Sequence, residues 1–190
     1  MFYLFIGSGK FTIYQPIILY RKFSADNIFN GYQMLQQQAL ITDAAGVIVD
    51  MIAETDAGDG VEKLNGILCP GFINAHCHLE LSHLKGVIPE KTGLVEFVFK
   101  VITQRDFAAD ILTAIEVAEK EMLQTGIVAV GDICNTAITI GQKAQKRLRY
   151  HNFIEVAGFV PASAQDRFDK ASAVLEQYRT TTNEQRSTLS

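Results

Sequence analysis

The sequence predicts an α/β protein whose strands run parallel, preceded by a β-rich segment over residues 1–69. Three observations predict it. Beyond Pro70, short apolar runs alternate with stretches of helical period, in the order βαβαβα. Those short runs are apolar nearly throughout, as strands covered on both faces should be. Before Pro70 the pattern is instead strand, turn, strand, with Gly and Asp at the turns.

In chain order, the leader "MFYLFIGSGKFTIYQPIILYRKF" is broken by Gly7, Ser8, Gly9, Lys10 and Pro16. It has no basic start and no small-residue cleavage site, which argues against a signal peptide or a membrane span. Residues 1–20 are left as two short strands or a disordered leader. "ALITDAAGVIVDMI" (39–52) reads as strand, turn, strand, with Asp43 opening the turn and Gly46 free to take positive φ. "TDAGDGVEKLNG" (55–66) reads as a surface loop. These strands suit a small β-sandwich or partial sheet that borrows strands from elsewhere.

Residues 70–190 hold the βα units. The first strand spans 72–78, a helix candidate 94–104, and a stronger helix about 109–124. Ile111, Leu112, Ile115, Ala118, Met122 and Leu123 form that helix's stripe, and Gly126 stops it. A second strand follows over 127–135, then a short helix within 136–150 in which "KAQKRLR" (143–149) reads as a solvated face. The third strand is expected over 152–160, and a helix over 164–178 with Phe168, Ala171, Val174, Leu175 and Tyr178 inward. Residues 181–190 lead into a fourth strand. Consecutive parallel strands imply right-handed crossovers.

Composition narrows the partners. The chain has 190 residues, 48% hydrophobic and 20% charged, which is ordinary for a soluble domain. A net charge of −4 gives no reason to expect nucleic acid or an anionic membrane. Cys69, Cys77 and Cys134 are odd in number, far apart and set in apolar runs, which suits buried thiols in a reducing, cytoplasmic compartment.

The chemistry gathers in "PGFINAHCHLE" (70–80). A strand sends residues i and i+2 to one face, about 6.6 Å apart from two rises of roughly 3.3 Å. His76 and His78 can then close on one ion, with Asn74 on their face and Ile73, Ala75 and Cys77 packed on the other. A cross-strand or surface pair accounts for the spacing as well. Two imidazoles alone also leave a catalytic zinc one protein ligand short. Asp132 ends the second strand, where it either orients an imidazole or substrate amine or caps the next helix. Glu80, Ser82 and His83 follow the pair and, with Glu96, are candidate substrate contacts; each also reads as an ordinary polar surface residue. His151 reads as surface, at the strand end away from the chemistry.

"GILCPGFINAHCHLELSHLKG" (66–86) resembles the first barrel strand of the metal-dependent amidohydrolase superfamily, whose entry signature is Pro-Gly-[Phe/Leu]-[Ile/Val]-Asn/Asp leading into H-x-H. "ALITDAAGVIVDMI" is similar to a segment of that superfamily's composite β-sandwich. "GIVAVGDICN" (126–135) and "NFIEVAGF" (152–159) resemble the second and third strands of its aminohydrolase and chlorohydrolase branch, which includes cytosine, guanine and S-adenosylhomocysteine deaminases. The resemblance covers about residues 21–190.

It implies a (β/α)8 TIM barrel of which 70–190 supply the first three to four βα units, and one divalent metal, zinc or alternatively iron, on His76 and His78. It implies hydrolysis of a non-peptide carbon–nitrogen bond, with deamination of a purine- or pyrimidine-like heterocycle the commonest outcome. A homo-oligomer is left open. The later histidine ligand, the relay histidine and glutamate, and the final aspartate belong to strands beyond Ser190. The chain alone is therefore expected to be inactive, with the remainder supplied by a longer polypeptide or another chain. The alternatives are a cyclic amidase of the dihydroorotase or hydantoinase kind, with two metals and a modified lysine, and a non-catalytic barrel relic.

Overall fold

The computed structural model describes residues 3–6, 9–12, 19–105, 110–181 and 186–190. They fall into two compact units, Met1–Pro70 and Gly71–Ser190.

In the first unit, β1 (Tyr3–Ile6) and β2 (Gly9–Thr12) pair antiparallel. A five-stranded sheet follows, built on β3 (Arg21–Phe29). Along one edge β3 pairs antiparallel with β4 (Met34–Leu35) and β5 (Gln38–Thr42); β5 pairs in turn with β6 (Ile48–Ala53). The β5–β6 turn forms as its residues dictate. Asp43 Oδ1 accepts from the amides of Ala45 and Val47, both at 2.9 Å, and Gly46 sits at φ +82°.

The expected loop over 55–66 is only half a loop. Glu54–Asp56 forms a 3-10 turn, but β7 (Val61–Leu68) then pairs parallel with β3. Its glycine did not break the strand, because Gly66 N–H donates to Asp26 Oδ2 at 2.8 Å beside the irregularity between Ala25 and Asn27. Cys69 is exposed rather than buried, unlike Cys134.

The second unit is a mixed α/β layer with a four-stranded parallel sheet, ordered β11–β10–β9–β8. These strands are β8 (Phe72–Cys77), β9 (Ile127–Cys134), β10 (Arg149–Ile154) and β11 (Arg186–Leu189). The helices are α1 (Leu94–Gln104), α2 (Ile111–Gln124), the single turn α3 (Ile140–Lys143) and α4 (Ala164–Thr181). Asp110 caps α2 by accepting from Thr113 N–H at 3.0 Å, so the helix starts two residues later than its periodicity suggests. The adjoining residues 106–109 lie outside the described set.

Two apolar clusters hold helices on one face of the sheet. Leu79, Ile115, Val130, Leu148 and Tyr150 form one; Cys134, Ile154, Ala171, Leu175 and Tyr178 form the other. Burial of a side chain such as Ile115 contributes about 1.5–3 kcal/mol. Phe168, expected inward on α4, is about half exposed. On the sheet, Ile73 and Val128 are exposed, and on α1 so are Leu94, Val95, Phe99 and Ile102. No residue of α1 is buried among those described.

Three expectations over this unit need correction. The third strand is Arg149–Ile154, not 152–160, because parallel pairing decides its extent: Arg149 to Ile154 match Ala129 to Cys134, where β9 ends. His151 accordingly lies within a strand, half-buried and stacked on Phe153 with ring centres 4.3 Å apart. Within the "KAQKRLR" run, Lys146, Arg147 and Arg149 are exposed as expected, but its first residue, Lys143, is completely buried. Finally, β8 does not alternate cleanly. Its register against β9 shifts between Asn74 and Cys77. Asn74 therefore turns its amide to Met122 of α2, at 3.7 Å, instead of sharing the histidines' face, while Ile73 and Ala75 are exposed.

Candidate metal centre

His76 lies near the end of β8 and His78 directly follows it, at the sheet position where βα architectures collect their chemistry. Their rings lie edge-on, with centres 5.3 Å apart and planes at 60°. One tetrahedral zinc bound at about 2.05 Å to two imidazole nitrogens lies about 3.2 Å from each ring centre, which separates those centres by about 5.2 Å. The observed spacing fits such an ion. A second observation agrees: His78 Nδ1 is buried with no hydrogen-bond partner among the described residues. A buried polar atom without a partner is costly and is rare unless something else satisfies it. Among the described residues no third His, Cys, Asp or Glu joins the pair to complete a metal-binding group.

The segment after His78 is tightly held. It winds into a 3-10 turn, Leu79–Leu84, begun by Leu81 N–H donating to the His78 carbonyl at 2.9 Å. Leu79 N–H donates to Asp132 Oδ1 at 2.8 Å in the interior. Asp132 is thus not at the strand mouth. It has the parity of Val130 and Cys134, faces the helices, and pairs with Lys143 Nζ at 2.5 Å. Lys143 also donates to Asn152 Oδ1 at 2.8 Å and lies 3.3 Å from Cys134 Sγ. Burial first, then the Asp132 charge, push the Cys77 and Cys134 thiols up to about 12.

The other predicted contacts are engaged with protein groups. Glu80 is buried against Arg105 and the Asn135–Thr136 loop. Ser82 Oγ donates to the Leu79 carbonyl at 2.7 Å. His83 Nε2 donates to the Arg105 carbonyl at 2.9 Å, which leaves Nδ1 as a buried acceptor with no partner among the described residues. Glu96 is exposed on α1 and pairs with Lys100 one turn on, at 2.8 Å.

Sequence reasoning missed the groups that knit this end of the sheet. Arg105 and Thr136 carried no motif. Glu155, expected inside the third strand, follows its end and accepts from Asn135 Nδ2 at 2.9 Å. The early stop of β9 at "CN" was the only available hint.

No family model matches the chain. It is 31% identical, over 119 residues, to a 5-methylthioadenosine/S-adenosylhomocysteine deaminase of Haloarcula marismortui; the match takes in 56% of this chain and 27% of that protein. It is 27% identical, over 152 residues, to an aminodeoxyfutalosine deaminase of a Nitratiruptor species, covering 72% of this chain and 36% of that one. In structure it is similar to the aminofutalosine deaminase of Helicobacter pylori crystallised with methylthio-coformycin. There the TM-score is 0.68 at 18% identity, with 89% of this chain and 43% of that chain covered. The chain is thus similar in sequence to two deaminases and shares its fold with part of a third. It spans about a third of the length of the curated relatives it matches. No helix among the described residues is long and apolar enough to cross a membrane.

Proposed function

We propose that this chain contributes the first metal-gripping strand of a hydrolase that removes an amino group from a purine-like heterocycle. The observation that carries the reading is the His76/His78 ring pair at the end of β8, with its partnerless His78 Nδ1. The deaminases to which the chain is similar support it, and they favour it over a cyclic amidase or a non-catalytic relic. In this reading the four parallel strands open a (β/α)8 barrel, and the sheet of residues 21–68 belongs to a composite sandwich.

His76 and His78 hold one divalent cation, zinc being the ion their imidazole chemistry and spacing fit. When bound, such an ion supplies Lewis acidity that brings the pKa of water from 15.7 toward about 7. The chain's own share is placement. His76 and His78 present ring nitrogens from a strand end, and Asp132 fixes the backbone directly after His78. The remaining ligands and the proton-relay groups come from outside the described residues.

The test uses the natural full-length polypeptide. Metal content is measured by elemental analysis, and ammonia release from 5-methylthioadenosine is followed by a coupled assay. The double substitution His76→Ala/His78→Ala is expected to abolish both metal retention and release. Retention of metal or of ammonia release by that variant would reject the proposal.

A further inference from the structure

We infer that Glu80 is a positioning residue for the His76/His78 pair, an inference that rests on the metal-binding reading above. Its side chain is only 3% exposed. Oε1 accepts from Arg105 Nη2 at 2.9 Å. Oε2 accepts from Asn135 N–H at 3.2 Å, Thr136 N–H at 2.9 Å and Thr136 Oγ1 at 2.8 Å.

Four donors on one carboxylate leave little of its capacity for substrate. The same four donors join three separate segments: the turn after β8, the loop after β9 and the carboxyl end of α1. Glu80 stands two residues beyond His78, and the intervening Leu79 amide is fixed to buried Asp132. His83, three residues further on, grips the Arg105 backbone, so the α1 end is held twice. The main chain leaving His78 is thereby fixed from both sides. Ligand residues need support of this kind to stay within about half an ångström of productive geometry.

Neutralising Glu80 loosens that hold without touching a ligand. The ion pair with Arg105 becomes a bond from a charged donor to an uncharged acceptor, and the amide nitrogen of glutamine meets a donor where an oxygen stood. The consequence falls on metal affinity more than on stability. Loss of a partner that orients a metal ligand typically lowers metal affinity about 10- to 100-fold.

The experiment compares wild type, Glu80→Gln, Thr136→Val and His76→Ala/His78→Ala in the full-length polypeptide. Each is stripped of metal and titrated with zinc against a chelating dye. Each is also loaded with cobalt(II), whose visible absorption reports ligand geometry, and urea midpoints are recorded alongside. Glu80→Gln is expected to raise the zinc Kd about tenfold or more and to alter the cobalt spectrum. Thr136→Val, which removes a single donor and threatens folding less, is expected to shift both in the same direction by a smaller factor. Wild-type zinc affinity and cobalt spectrum in both variants overturn the inference, whatever their urea midpoints. If in that case the double-histidine variant still loses zinc, only the positioning role falls. If the double-histidine variant keeps zinc, the metal reading falls with it.

Discussion

Replacing Lys143 by methionine tests the interior of the second unit most sharply. The ammonium is completely buried, and its Asp132 partner, also buried, lies 2.5 Å away. Asn152 Oδ1 accepts from it at 2.8 Å, and the Tyr150 and Tyr178 rings flank it at 5.0 and 4.9 Å. Methionine keeps most of the volume and removes the charge. Asp132 is then left with the Leu79 amide and the weak Cys134 thiol as donors, inside a region that water does not reach. Removing one partner of a buried pair costs about 3–5 kcal/mol, against a whole-domain stability of about 5–15 kcal/mol. With a urea slope of about 2 kcal/mol/M, the midpoint falls by about 2 M. Far-ultraviolet circular dichroism of the full-length polypeptide in urea reads it directly. The double variant Lys143→Met/Asp132→Leu should lose less than the single one, since replacing both charges removes the uncompensated carboxylate. A single-variant loss below about 1 kcal/mol, typical of an exposed pair, would refute the account of Lys143 as a buried cation.

Two further outcomes follow from the same unit. Cys77 and Cys134 have thiol pKa values raised to about 12, so unfolding lets them ionise in the ordinary range near 8.5. Their contribution to stability is therefore complete below about pH 8.5 and lost as pH climbs toward about 12. Urea midpoints should decline over that window, and a thiol reagent should label exposed Cys69 well before the other two. Gly131→Ala places a methyl carbon 2.7 Å from the Ala75 carbonyl oxygen and 3.2 Å from the Phe153 ring. Since the first of these is backbone, β8 must shift beside His76. A loss of about 1–3 kcal/mol is expected, as for overpacking generally, with weaker zinc retention in the same titration. An unchanged midpoint would mean that β8 and β9 are less closely apposed.

What was legible in the sequence was whatever depends on neighbours along the chain. The two-residue spacing of His76 and His78, the Asp43–Gly46 turn and the stripe of α2 are local, and they appear where expected. What depends on a partner strand was not legible. "NFIEVAGFV" is apolar past its true end, so only pairing with β9 shows that the strand stops at Ile154. Asp132 shares the parity of Val130 and Cys134, but a strand-end acid looks the same in one dimension whichever way it points. Lys143 was hidden by company. In a run of basic residues, nothing local marks the one whose ammonium meets Asp132 from another element.

The strand that carries His76 and leads directly into His78 is joined to its sheet across a long gap in the chain. Phe72 pairs with Ile127, roughly 55 residues later, and the closing bonds come from β9 rather than from any near neighbour. Ordering so long an intervening segment must come before the contacts that reward it, so pairings of this kind form slowly. The imidazoles thus take their mutual arrangement only after the crossover has docked. On the proposed metal reading, a nascent chain would offer a cation two loosely tethered side chains instead of a cradle.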